Sequence, residues 1–143
     1  MKVRQLKTKD FYNVVSKWWN NHQILHEGKK ISYPLIPLSI LPQNVFVVSD
    51  DKYDLYCIFF YQTDSAMSWL AYPTSNLEAP KKNRKGALEF LINEVERYAR
   101  EHNYFLLFTT SPVKPVQDAL LSVGFVIGDE KVSQFYKKLP PEN

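Results

Sequence analysis

The sequence predicts an α+β fold: a single mixed, mostly antiparallel central sheet of six to seven strands with helices on both faces. Three observations predict it. The runs NVFVVSD (44–50), DLYCIFFYQ (54–62) and AMSWLAYP (66–73) are rich in β-branched and aromatic residues and are joined by short polar turns. Connections that short allow only antiparallel pairing. An amphipathic helix from about Gly86 to Glu101 then leads to YFLLFTT (104–110), which a right-handed crossover brings parallel to the third strand. Finally, VRQL (3–6), FVIG (125–128) and KVSQFYKKL (131–139) extend the sheet, the last two pairing across Asp129-Glu130.

The elements follow in order. After VRQL, Phe11, Val14, Val15, Trp18 and Trp19 form an apolar stripe at helical spacing, with Thr8 as expected N-cap and Asp10 suiting the dipole. Residues 23–43 carry Pro34, Pro37 and Pro42, which break any long element, beside the apolar Leu35, Ile36, Leu38, Ile40 and Leu41. They read as a long connection holding a helical turn or two and packing on the body; connections of this length are often functional. Pro73 is expected to end the third strand. In the 86–101 helix, Leu88, Leu91, Ile92, Val95, Tyr98 and Ala99 face inward and the charged residues outward. YFLLFTT is nearly all apolar, the pattern of a strand covered on both faces. Pro115 opens a shorter helix and Gly124 closes it.

With 143 residues, 45% hydrophobic and 15% aromatic, the chain is expected to form one globular domain, 1–143, with a proper core. A net charge of +3 suits anionic ligands but is too small for a nucleic-acid protein. Cys57, alone in the apolar run LYCIFF, rules out an internal disulfide and reads as a buried thiol. The start MKVRQLKTKD lacks an apolar leader, and apolar runs are only a few residues long, so a soluble cytoplasmic protein is expected. Scattered histidines give no metal-ligand spacing, and no metal is expected. Neither a GxSxG elbow nor a GxxxxGK[ST] loop occurs.

One stretch departs from local helix rules. KKNRKGALEFLINEVERYAR (81–100) places Lys81, Lys82, Arg84 and Lys85 at a helix start, where the dipole is already positive. Such cations either hold an anion or keep a loop solvated. A helix N-terminus offers unpaired N–H groups to an anion, and glycine allows close backbone approach.

In element order and spacing the chain resembles the GNAT superfamily of acyl-CoA-dependent N-acyltransferases, most strongly from SWLAYP (68–73) through LLSVGF (120–125). In that family a strand ending in a V-x-P-like segment leads through a Q/R-x-x-G-x-G/A loop into a helix. Here AYP (71–73) and KKNRKGAL (81–88) take those places, and ALLSVGF (119–125) supplies the family's G-F helix ending. The resemblance implies acetyl-CoA as cosubstrate and an amine as acceptor. Its phosphates would be held by Lys81, Lys82, Asn83, Arg84, Lys85, Gly86 and Ala87, and its thioester carbonyl polarised by a backbone N–H from Leu70, Ala71 or Tyr72. The loop keeps one small residue fewer than the family pattern, whichever register Gly86 takes.

The catalytic side departs further. Leu120 stands where the family commonly has a general-acid tyrosine, and Val113 where it often has an asparagine. Tyr72 and Tyr136 are the tyrosines that the pleat can bring to a cleft, and each is more ordinarily a packed sheet residue, so no catalytic residue is assigned. His26 and Glu27, in the segment that borders the acceptor pocket in this family, are the candidate acceptor contacts and His26 a candidate base; a surface loop is the plainer reading. Tyr33 with the apolar 34–42 stretch can wall that pocket or form a homodimer contact. His22 and His102 read as helix-end residues. The alternative function is an inactive GNAT-like module that binds a protein or nucleic acid, the latter disfavoured by glutamates on the 86–101 helix. A transferase requires an opening between the strand ending at Tyr72 and the strand starting at Tyr104; a binding module requires Trp69 or Phe108 to fill it.

Overall fold

The computed structural model describes residues 1–32 and 35–141, with the side chains of 23–26 and 30–32 outside the description. The chain runs β1 (Lys2–Lys7), α1 (Thr8–Asn21), β2 (Gln23–His26), β3 (Lys29–Ser32), a 3₁₀ turn (Leu38–Ile40), β4 (Asn44–Ser49), β5 (Asp54–Tyr61), β6 (Met67–Ser75), α2 (Lys81–Arg84), α3 (Ala87–Glu101), β7 (Leu106–Phe108) and α4 (Lys114–Ser122). Five strands form the main sheet in the order β1-β4-β5-β6-β7, antiparallel except for the parallel β6–β7 pair. The expected mixed, mostly antiparallel α+β sheet is therefore present, with five strands rather than six or seven.

Strand alternation builds two cores. Phe46, Val48, Ile58, Phe60 and Leu70 point to one face and meet Leu91, Val95 and Ala99 of α3. Val45, Val47, Cys57 and Phe59 point to the other and meet Phe11, Val15, Trp18 and Trp19 of α1. Helices thus cover both faces, as the apolar periodicity of each predicts. Cys57 is fully buried, and burial pushes its thiol far above the ordinary range. Leu88 and Ile92, on a neighbouring stripe of α3, pack on Val116 and Ala119 of α4.

Several expectations are corrected. Lys7, not Thr8, is the N-cap of α1, and Thr8 instead donates from Oγ1 to the Pro42 carbonyl at 2.5 Å. With its N–H on the Gln43 carbonyl at 2.9 Å, Thr8 fastens the helix start to the incoming chain. Val14 is exposed, at the margin of the apolar stripe. The expected helical turn within 23–43 is the 3₁₀ turn at Leu38–Ile40, but residues 23–32 form a separate hairpin rather than irregular connection, because Glu27 (φ 50) and Gly28 (φ 78) make a two-residue turn of the kind that matches strand twist. The connection beyond it does pack on the body. Tyr12 donates to the Ile36 carbonyl at 2.6 Å and Tyr61 to the Ile40 carbonyl at 2.7 Å.

β6 passes through Pro73 to Ser75, which a bulge makes tolerable. The 104–110 run gives only a three-residue strand, with Leu106 and Phe108 exposed: β7 lies at the sheet edge, with no strand beyond it among the described residues. FVIG and KVSQFYKKL form no strand: Phe125 packs against the α3 and α4 clusters, while Val126, Ile127, Val132, Phe135, Tyr136 and Leu139 are exposed. Their alternation is that of strands, but alternation without a partner's N–H and C=O groups makes no ladder.

Among the described residues no helix is long and apolar enough to cross a membrane. Nor does any group of three His, Cys, Asp or Glu gather there as a metal site.

Candidate functional site

The site begins with an irregularity in β6. Ala71 opposes Phe59 and Thr74 opposes Cys57, so β6 advances three residues against two on β5. That extra residue is a bulge, and Tyr72 within it takes φ 51, a left-handed conformation uncommon for a side chain of its size. The bulge is braced from the α1 face. Trp19 Nε1 donates to Thr74 Oγ1 at 3.1 Å, and Thr74 Oγ1 donates to the Tyr72 carbonyl at 2.9 Å. His22, at the end of α1, bonds through Nε2 to the Ser75 carbonyl at 2.9 Å. Strain held by such bracing is a mark of functional segments.

On its other side β6 loses its neighbour. The parallel ladder with β7 covers Met67–Leu106, Ser68–Leu107 and Trp69–Phe108 and then stops, while β6 continues to Ser75. A last tie is made by a side chain: Thr109 Oγ1 donates to the Leu70 carbonyl at 2.9 Å. Trp69 and Phe108 stack at the end of the ladder, centroids 5.5 Å apart and planes 9° from parallel.

Chain direction places α3 at this same end. β6 and β7 run parallel, and α3 returns between them, so α3 starts where both strands finish. Ligands gather at the carboxyl ends of parallel strands for this reason. The N-cap of α3 is Gly86 at φ 77, with no side-chain cap, which leaves first-turn N–H groups without a local acceptor. A Cβ built on Gly86 meets nothing within 4 Å, so open space lies beside it. These features fit an anionic group.

The basic residues are not in α3 itself. Lys81 to Arg84 form the short α2, Lys85 is extended, and Gly86 turns the chain into α3. Lys81, Lys82 and Lys85 are exposed. Arg84 and Asn83 are committed to the scaffold: Arg84 Nε donates to the Ala79 carbonyl at 3.2 Å, and Asn83 Nδ2 donates to Asp50 Oδ2 at 2.8 Å. Tyr56 lies below, its phenol pushed up by burial, with the nearby Arg84 charge opposing that shift. Ala87 is buried, so it can offer only its backbone.

Leu70 and Ala71 are buried and Tyr72 half-buried, so the three predicted strand residues do sit together beside the end of the ladder. The acceptor candidates are less concentrated. His26 closes the β2–β3 hairpin opposite Lys29, Glu27 is exposed in its turn, and Tyr33 lies outside the described residues. His102 caps α3, bonding through Nδ1 to the Tyr98 carbonyl at 2.8 Å and stacking on the Tyr98 ring. Leu120 packs with the α3–α4 cluster, and Tyr136 is exposed at the C-terminal segment. Sequence reasoning missed the Trp19–Thr74 brace and the His22–Ser75 tie. The proline within a strand-like run was the available signal for the bulge.

No protein-family model matches the sequence, and no curated protein matches it either. Solved structures do match. A probable acetyltransferase superposes with a TM-score of 0.64 at 15% identity, covering 99% of this chain and 100% of the other. An aminoglycoside acetyltransferase from an uncultured soil metagenomic sample, in complex with sisomicin, gives 0.64 at 18% identity over 97% and 96%. The fold is that of the GNAT acetyltransferases. A third GNAT-fold match, AAC(6')-Iy in complex with the bisubstrate analogue CoA-S-monomethyl-acetylneamine, gives 0.61 at 17% identity over 96% and 97%.

Proposed function

We propose that this chain is a cytoplasmic N-acyltransferase that moves an acyl group, acetyl in the first instance, from a CoA thioester to an amine. The observation that carries the reading is the meeting of three features at one end of the sheet. These are the end of the β6–β7 ladder, the bulge at Tyr72, and the uncapped start of α3 behind Gly86. The likeness to GNAT-fold acetyltransferases solved with CoA-containing ligands supports it.

In this reading Lys81, Lys82 and Lys85 meet the phosphates, and the amides of Gly86, Ala87 and the next turn take the pyrophosphate. Asn83 and Arg84 contribute by holding that segment in place. Bound acetyl-CoA supplies an activated acyl thioester. A backbone N–H from the Leu70–Tyr72 stretch, beside the point where the β7 ladder stops, would stabilise charge on the thioester oxygen. Positioning carries much of the remaining barrier. Leu120 offers no proton, so the departing sulfur leaves as a thiolate, which a thiol pKa of about 8.5 makes feasible. Water takes the ammonium proton, with His26 as the candidate relay, and the hairpin bearing His26, Glu27 and the following Tyr33 borders the acceptor. His22 supports that placement, because it ties the chain just before the hairpin to the end of β6.

A second reading, an inactive binding module, draws on the Trp69–Phe108 stack at the end of the ladder and on Leu120. Incubation with acetyl-CoA and a panel of small amines, aminoglycosides, amino acids and peptides, read as release of CoA thiol, separates the two. Amine-dependent release that is lost in Lys82→Glu/Lys85→Glu supports the transferase. Release indistinguishable from spontaneous hydrolysis with every amine, despite acetyl-CoA binding, supports the binding module.

A further inference from the structure

We propose, resting on the transferase reading, that the acceptor amine is carried on an aromatic body that lies on a row of three rings, Tyr61, Trp69 and Phe108. Register builds the row. Tyr61 stands opposite Trp69 across β5 and β6, and Trp69 opposite Phe108 across β6 and β7. Directly opposed residues share a face, and the Trp69 and Phe108 rings stack on one another. The face is that of α1, because Phe59, which packs on this helix, lies two residues before Tyr61 on the same strand. α1 packs on Val45, Val47, Cys57 and Phe59; one step further along the strands, Tyr61 and Trp69 are half-buried and Phe108 is 45% exposed.

The row has a wall. Tyr61 donates from its phenol to the Ile40 carbonyl at 2.7 Å and so holds the 38–40 turn beside it, with Leu38 and Ile40 exposed. Ligand sites are mostly apolar and aromatic surfaces of this kind. Position ties the row to the reaction. Trp69 is the last residue of the β6–β7 ladder, and the Leu70–Tyr72 stretch follows it directly. Two residues of strand span about 7 Å, close to the distance from a ring centre to an amine on a short alkyl tether.

Charge narrows the class. The residues that flank the row on its strands, Phe60, Gln62, Ser68, Leu70, Leu107 and Thr109, include no carboxylate, and neither does the 35–43 stretch. Burial, and then the neighbouring Tyr72 phenol, push the Tyr61 phenol up to about 12, so it stays a neutral donor. A polycation needs carboxylates in place of its water, whereas an aromatic body gains from offset or edge-to-face contact with the rings. Three neighbouring strands span about 10 Å, room for one ring or two fused rings.

Turnover of the full chain with acetyl-CoA, read as release of CoA thiol, is compared for 2-phenylethylamine, tryptamine, hexylamine and neomycin. The two aromatic amines are expected to exceed hexylamine and neomycin in kcat/KM by about tenfold or more. Trp69→Ala is expected to raise KM for 2-phenylethylamine by about tenfold with little change in kcat, and Trp69→Phe to restore most of that loss. A rise in melting midpoint with acetyl-CoA, kept in each variant, shows a folded chain that still binds its cosubstrate. Should Trp69→Ala fail to fold, Phe108→Ala at the sheet edge carries the same expectation. Neomycin or hexylamine turned over as well as the aromatic amines overturns the proposal, and so does an unchanged KM in the alanine variant. Binding of acetyl-CoA without turnover of either aromatic amine overturns the proposal alone. A wild-type chain that does not bind acetyl-CoA overturns the transferase reading with it.

Discussion

Asn83 donates from Nδ2 to Asp50 Oδ2 at 2.8 Å, and this bond fixes the basic segment to the turn between β4 and β5. The other carboxylate oxygen accepts the N–H groups of Lys52 at 2.8 Å and Tyr53 at 2.7 Å. The Asn83 bond, followed by these two, holds the Asp50 carboxyl below the usual carboxylate range. Asp50→Ala is expected to weaken acetyl-CoA binding by roughly two- to tenfold, the weight of one net hydrogen bond, while the sheet stays folded. Calorimetric titration of the variant checks it.

The same bond sets a pH dependence. A carboxyl whose folded pKa is lowered stabilises fully above its unfolded value of about 3.9 and loses that effect as pH falls through the folded value. Release of the 81–85 segment, followed by a fluorophore placed on a cysteine at Lys82, is therefore expected only below about pH 4. Asp50→Asn should show no such step in that range.

Charge reversal of the exposed lysines isolates their role. Lys81→Glu/Lys82→Glu/Lys85→Glu leaves the Asn83 and Arg84 anchors in place. Affinity for acetyl-CoA should fall by tenfold or more at low salt, and the gap should narrow as salt rises because exposed charges are screened. Thermal unfolding without ligand should be nearly unchanged.

Gly86 is needed for its backbone, not for space. At φ 77 any Cβ is strained, and a left-handed residue other than glycine costs about 1–2 kcal/mol. Since a Cβ there meets no atom within 4 Å, Gly86→Ala should destabilise by about that amount and no more. Gly86→Asn should cost less, because asparagine tolerates the left-handed region. Urea unfolding of the pair measures both.

Trp19→Phe removes the donor that braces Thr74 and, through it, the Tyr72 bulge. Trp19 is buried and Thr74 Oγ1 keeps its own bond to the Tyr72 carbonyl, so the change should cost about 0.5–1.5 kcal/mol from the lost hydrogen bond, with a further loss from the smaller ring. The bulge should loosen with it. Weaker acetyl-CoA binding beyond the stability loss would show that the brace serves the site.

Local pattern carried the sequence reading a long way. β4, β5 and β6 were legible because dense β-branched and aromatic runs met across two short turns, and α1 and α3 because their apolar stripes held helical spacing. The hairpin at 23–32 was hidden: ILH and KKIS are short and half polar, and only the Glu27-Gly28 turn betrayed it. The C-terminal runs failed in the opposite sense. Their alternation is strong, but pairing depends on a partner edge that local sequence does not specify. At the site, the basic cluster and Gly86 were visible as anomalies against the helix dipole. That Asn83 and Arg84 serve as anchors was not, since Asp50 and the Ala79 carbonyl reach them only through the fold.

Thermal unfolding with and without acetyl-CoA shows whether the end of the β6–β7 ladder and the start of α3 together receive a CoA thioester. At a hundred times its dissociation constant the ligand adds about 2.7 kcal/mol, a rise of several degrees in the midpoint. That rise is expected in the wild-type chain and its loss in Lys81→Glu/Lys82→Glu/Lys85→Glu. An unchanged wild-type midpoint at millimolar acetyl-CoA would contradict it.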